Sequence, residues 1–229
     1  MISKVKSGIK NLSDRMISLS TGLMLITLAF AVSMGLLIVL IRQVFYSNDD
    51  GFDLGVFRYL ATTISERNTA SMRGFTFLGS HFFLVPAFLL FFAYIYFIRK
   101  DKWFFIKITS ISVFNLLLMF GLKYFFTRSR PLIPLLKEVP GYSFPSGHAF
   151  MSLSFFGLII YFVYREVANR WLKWSIIILL GMIIILVGLS RVYLRLHFAS
   201  DVIAGYCFGW ISMLFLMWIL KWVERFCKR

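Results

Sequence analysis

Between Trp103 and Pro131 the chain reads WFFIKITSISVFNLLLMFGLKYFFTRSRP, an apolar run closed by a basic cluster and a proline. The part from Trp103 to Phe125 is long enough to cross a hydrocarbon core of about 30 Å as one helix, a distance that takes about 20 apolar residues. Five further segments of the same kind lie on either side of it. Ile17 to Ile41 and Phe75 to Ile98 precede it, and Ala149 to Tyr164, Trp174 to Leu189 and Val202 to Leu220 follow. The fourth and fifth spans are the shortest and need flanking residues to complete a crossing. Composition agrees with a lipid solvent: with 59% hydrophobic and 15% charged residues, the chain has too little polar surface to coat a water-facing shell. The expected fold is all-α, a six-transmembrane helix bundle forming one integral membrane domain over residues 1–229.

The segment from Asp53 to Thr69 carries Leu54, Phe57, Leu60, Ala61 and Ile64 at helical spacing. This predicts a short interfacial amphipathic helix between the first two spans, either a cover packed on the bundle or a lid over a site. Pro131, Pro134 and Pro140 with Gly141 mark a long loop between the third and fourth spans. A net charge of +15 would suggest a nucleic-acid partner for a soluble protein. Here the basic residues flank apolar runs, so no nucleic acid is expected. One set of ends holds Lys4, Lys6, Lys10 and Arg15, then Arg99, Lys100 and Lys102, then Arg165, Arg170 and Lys173, then Lys221, Arg225, Lys228 and Arg229. That set is the richer one, which predicts cytoplasmic termini. The first apolar run is expected to be a retained span, since no small-residue cleavage site follows it. Cys207 and Cys227 fall in different places of this layout and predict no disulfide.

Chemistry concentrates in three segments at the opposite set of ends. In the first, Lys123 and Arg130 are seven residues apart. On a continued helix they would project from one face, two cations suited to an anion with several oxygens. Taken alone they also fit basic residues that snorkel to head groups. The second is Phe144-Pro145-Ser146-Gly147-His148, directly before the fourth span. Ser146 suits a helix N-cap, Gly147 lets the backbone approach closely, and a helix start offers free N–H groups to an anion. His148 there is either a proton donor or an interfacial polar residue. The third contains Ser190, Arg191, His197 and Asp201. His197 and Asp201 are four apart and are neighbours if helical, so the carboxylate can orient the imidazole. The alternative is a structural pair at a helix start. His81 has no assigned role.

The pattern Lys-x6-Arg-Pro, Pro-Ser-Gly-His, Ser-Arg-x5-His-x3-Asp resembles the three-part signature of the type 2 phosphatidic acid phosphatase family. It is carried by Lys123, Arg130 and Pro131; Pro145, Ser146, Gly147 and His148; and Ser190, Arg191, His197 and Asp201. Ala199 stands where members often carry proline, and Arg195 is an additional cation. The resemblance implies a membrane lipid phosphatase that works through a phosphohistidine. His197 would be the nucleophile, Asp201 its partner and His148 the acid and then the base. Lys123, Arg130, Arg191, Ser146 and Gly147 would hold the phosphate. Substrates in keeping with it are undecaprenyl diphosphate, phosphatidylglycerophosphate, phosphatidate or a lipid A phosphate. It further implies a bacterial plasma membrane and no obligate protein partner, while the basic-residue asymmetry puts the three segments on the outer side.

No cofactor and no metal are expected. The outer carboxylates are Asp49, Asp50, Asp53, Glu66, Glu138 and Asp201, and only Asp201 lies near the histidines in sequence. Two alternatives remain at this point. One is phosphotransfer to an acceptor alcohol. The other is an anion transporter or lipid-binding protein, which has no need of a His–Asp pair. The haloperoxidase branch of the family is water-soluble, and this composition is not.

Overall fold

The computed structural model describes residues 23–136 and 140–228. Lys4, Lys6, Lys10, Arg15, the start of the first span at Ile17, Lys137, Glu138 and Arg229 lie outside the described residues. Among the described residues eight helices run in order: α1 (Leu23–Tyr46), α2 (Gly51–Ala61), α3 (Glu66–Leu78), α4 (His81–Arg99), α5 (Lys102–Phe126), α6 (Gly147–Glu166), α7 (Arg170–Tyr193) and α8 (Ala199–Cys227). Six of them, all but α2 and α3, are long and apolar enough to cross a membrane. Each predicted span is found, and the short fourth and fifth are completed by flanking residues as expected.

Burial orders the bundle. Half of the most apolar stretch of α6 is buried, against 11% for α1, so α6 is the central post and α1 a peripheral one. Phe155, Phe156 and Leu158 of α6 pack with Ile108 and Ile111 of α5, Leu84 and Phe88 of α4, and Met213 of α8. Large apolar side chains such as Leu90, Leu117 and Ile185 point away from this core and remain exposed, which is stable only against hydrocarbon. At one close crossing Gly205 of α8 meets the start of α6, where a Cβ would lie 2.7 Å from the Ser146 carbonyl oxygen. That glycine lets two helix ends bring their side chains together.

Two boundaries differ from the sequence reading. The segment between the first two spans is a pair of helices, because Thr62 and Thr63 turn their hydroxyls back onto the carbonyls of Tyr59 and Leu60. Ser65 then restarts the chain as an extended N-cap, its side chain accepting from the Asn68 N–H. Phe75 to Leu78, read as the start of the second span, belong to α3, and the chain breaks at Gly79-Ser80 before α4 begins at His81. A Cβ at Gly79 would come within 2.4 Å of Val187, so the break sits where α7 passes closest.

Candidate active site

Antiparallel connection of the spans places the end of α5, the start of α6, the end of α7 and the start of α8 at one end of the bundle. The first three and the loop that leads into α8 contribute to one cavity of about 770 Å³. Lys123, Arg130, Gly147, His148, Arg191 and His197 all line it, although they come from three separate stretches of chain.

Lys123 and Arg130 do not share a helix face. Helix α5 ends at Phe126, and Thr127 adopts a left-handed conformation (φ +46°) that turns the chain back over the bundle. Arg130 reaches the cavity from this loop. Its Nε donates to the Gly141 carbonyl at 3.0 Å and one Nη to the Leu196 carbonyl at 2.7 Å. Lys123 donates to the Tyr142 carbonyl at 2.7 Å. Backbone carbonyls therefore fix both cations without neutralising them. Arg191, in the last turn of α7, is buried and donates to the Thr76 hydroxyl at 2.6 Å, while its Nε has no acceptor among the described residues. A buried donor left unpaired costs about 1–3 kcal/mol, and an anion in the cavity would offset that cost.

Ser146 is the N-cap of α6, as the sequence predicts, and accepts from the Ala149 N–H. It is fully buried beneath the helix start and does not line the cavity, so its place is structural support. Its own N–H donates to the Asp201 carbonyl at 2.9 Å, tying α6 to the first turn of α8. Arg195 lies on a neighbouring cleft with Arg128 and Arg130, whose lining includes neither histidine. His81, without a role in the sequence reading, lines the main cavity.

His197 and Asp201 do not share a helix, because α8 begins at Ala199. They still meet: His197 Nδ1 lies 3.5 Å from Asp201 Oδ2 and 3.3 Å from the Ser143 hydroxyl. That hydroxyl donates its proton to the same carboxylate oxygen at 2.5 Å. Carboxylate and hydroxyl oxygen thus both face Nδ1 as acceptors, which selects the tautomer protonated there. Nε2 keeps its lone pair on the cavity side, 3.3 Å from Arg130 Nη1. Burial pushes the His197 imidazole down to about 4, against the opposing pull of Asp201, so the ring is neutral at neutral pH.

The sequence reading missed the partner that holds Asp201. Arg128 donates to Asp201 Oδ1 and to the Ser200 hydroxyl, both at 2.7 Å, and to Asp53 at 2.9 Å and Asp50 at 3.0 Å. Its guanidinium lies over the Phe198 ring, 4.0 Å from the centroid. Burial opposes its charge, but Asp201 and Asp53 more than compensate and raise its pKa. Asp53, from α2, is itself buried and accepts from the Ser200 N–H at 2.8 Å and hydroxyl at 2.6 Å. One signal was available: Asp53 falls on the same stripe of α2 as Phe57 and Leu60, a carboxylate on an apolar face. Asp50, Asp53 and Asp201 converge on a guanidinium. Among the described residues no group of three or more His, Cys, Asp or Glu is placed to hold a metal ion.

Beyond the cations the cavity turns apolar. Leu84, Val85, Phe88, Leu89 and Phe92 of α4 face Val113, Leu116 and Phe120 of α5 across it. Val85, Leu89 and Phe120 are exposed on the outer surface, so the cavity opens sideways between these two helices. One end suits an anionic head and the other a hydrocarbon tail.

Two histidines and a cation set at one end of a transmembrane bundle are the features of a membrane phosphatase. The profile of the PAP2 superfamily matches residues 105–225, and the chain belongs to that family of membrane lipid phosphatases. It is 33% identical over 160 residues to phosphatidylglycerophosphatase B of Bacillus subtilis (strain 168), covering 69% of this chain and 76% of that protein. The crystal structure of the transmembrane PAP2-type phosphatidylglycerolphosphate phosphatase from Bacillus subtilis superposes with a TM-score of 0.76 at 26% identity, covering 86% of this chain and 98% of the other. Aquifex aeolicus LpxE shares the fold, with a TM-score of 0.55 at 24% identity, over 72% of this chain and 93% of its own. The protein is thus an integral, multi-pass membrane phosphatase.

Proposed function

We propose that the protein removes a terminal phosphate from a lipid head group by way of a phosphohistidine, at the outer face of a bacterial plasma membrane with both termini cytoplasmic. One observation carries this reading: Nε2 of His197, beside Arg130, faces a cavity that is cationic at one end and apolar, with a lateral mouth, at the other. In the first step Nε2 attacks phosphorus, the bond to the leaving oxygen breaks, and His148 gives that oxygen a proton. In the second, His148 takes a proton from water, which attacks phosphorus and breaks the P–N bond. Lys123, Arg130, Arg191 and the Gly147 amide hold the three equatorial oxygens. Phosphatidylglycerophosphate is the first substrate to test, given the named activity of the Bacillus subtilis relative. Undecaprenyl diphosphate, phosphatidate and a lipid A phosphate complete the panel.

The experiment is phosphate release by the purified full chain from each lipid, with and without excess EDTA. Three fixed cations supply the charge stabilisation that metal ions supply in two-metal phosphatases. Release from at least one lipid, unchanged by the chelator, is expected. Release from none, or complete loss in EDTA, overturns the scheme.

The neutral imidazole gives a second check. A histidine whose folded pKa lies near 4 stays unprotonated as pH falls through 6.5, the ordinary value, and gains its proton only near pH 4. The nucleophile-dependent acid limb of kcat/KM is therefore expected about two and a half pH units below that of an ordinary histidine. Ring ¹⁵N shifts of His197 should not move between pH 7 and 5.5, and a titration midpoint near 6.5 would contradict the assignment.

A further inference from the structure

At the end of the bundle away from the phosphatase cavity, α5, α6 and α8 enclose a second pocket of about 350 Å³. Lys107 and Lys123 lie on the same helix sixteen residues apart, so the two pockets are separated by about 24 Å. Five cations line the second one, Lys107, Arg165, Lys221, Arg225 and Lys228, against two carboxylates, Asp101 and Glu224. The surplus is three positive charges.

Those carboxylates are already engaged. Glu224 is shared by Lys107 and by Lys228, the latter at 2.6 Å, and Asp101 accepts from Arg165 at 2.9 Å. Lys221 and Arg225 have no carboxylate partner among the described residues; Lys221 has only the Tyr161 ring, 5.8 Å away. Basic residues that merely orient a membrane protein need no particular geometry. These have one. Lys107 is buried more than a turn inside α5, where a charge is costly, and Arg165 lies over the Phe104 ring at 5.4 Å. Lys221 and Arg225 lie one turn apart on α8, and Lys228 is its C-cap. Trp103 and Tyr161 are part of the lining, residue types that mark the depth of lipid phosphates.

We propose that this pocket is a second phosphate-binding site, remote from the catalytic one, that takes the phosphate of an anionic lipid head group or of a free phosphate. Its volume falls in the range of ligand pockets, roughly 300–1,000 Å³. A phosphomonoester dianion matches the two cations left without a carboxylate. Lys221 and Arg225 grip it, while Lys107, tethered to Glu224, fixes the floor. Catalysis at the other end does not depend on it.

The test is native mass spectrometry of the full chain in detergent with the non-hydrolysable phosphonate analogue of dioctanoyl phosphatidate, with p-nitrophenyl phosphate hydrolysis as the check on folding. Two bound analogues per chain are expected. The double variant Lys221→Gln/Arg225→Gln keeps one, its weaker site reduced at least about tenfold, with hydrolysis unchanged. Arg225→Lys, which keeps the charge, stays within about threefold of the parent. Lys100→Gln/Lys102→Gln removes equal charge from the same end outside the pocket and keeps both. Two analogues on the pocket variant, one on the parent, or equal loss in the Lys100/Lys102 variant overturns the proposal. Adding inorganic phosphate at millimolar concentration separates the sources: displacement from this pocket supports free phosphate as the occupant, and persistence supports the lipid.

Discussion

His197→Ala is expected to lower phosphate release by about four orders of magnitude or more while leaving the protein folded and membrane-inserted. No other group in the cavity can replace it. His148 and His81 are the other imidazoles on the lining, but none of the bonds that orient His197 reach them. Removing a nucleophile that forms a covalent intermediate eliminates the pathway, and the residue left behind can only support direct attack by water with help from the cations. The variant should also fail to trap ³²P from labelled substrate in reactions quenched with alkaline detergent. The parent should trap it in an acid-labile, base-stable form, as a phosphohistidine does. Turnover within tenfold of the parent would remove His197 from its proposed role.

The second large effect is expected at Arg128, a residue that lines no part of the catalytic cavity. Arg128→Ala leaves Asp201 and Asp53 buried without their shared countercharge, and breaking a buried ion pair from one side costs about 3–5 kcal/mol. Thermal unfolding in detergent should register a loss of that order. Below the unfolding temperature, turnover should also fall, because Asp201 is held on one oxygen by Arg128 and on the other by Ser143 and the Phe198 N–H. Freed on one side, it no longer orients His197 firmly. Arg128→Ala combined with Asp53→Asn removes one of the stranded charges and should recover part of the stability but little of the turnover. Unfolding of Arg128→Ala at the parental temperature would show that the network contributes nothing to stability.

The spans were legible because hydrocarbon admits few solutions, and an apolar run of sufficient length is almost a direct statement of one. Ser146 was legible for a local reason: a cap acts within three residues of itself. The misreadings are equally physical. Phe75, Phe77 and Leu78 lie only a few residues before the apolar run that opens at Phe82, so average hydropathy joins them across the break that Gly79 and Ser80 impose. Lys123 and Arg130 reach one cavity, but Thr127 ends the helix in a left-handed turn that a β-branched residue rarely adopts, and no residue type there announces it. The His197–Asp201 pair was legible as a pair and misread as a helical one. Arg128 and Asp53 are 75 residues apart, and nothing local marks a contact of that range.

The sideways mouth between α4 and α5 changes what substrate concentration means for this enzyme. A lipid that slides in through Val85, Leu89 and Phe120 never leaves the bilayer, so no energy is spent extracting its chains into water. Encounters then occur in two dimensions. Turnover is then expected to follow the number of substrate molecules per unit area of membrane, with inert lipid around the protein acting as a diluent.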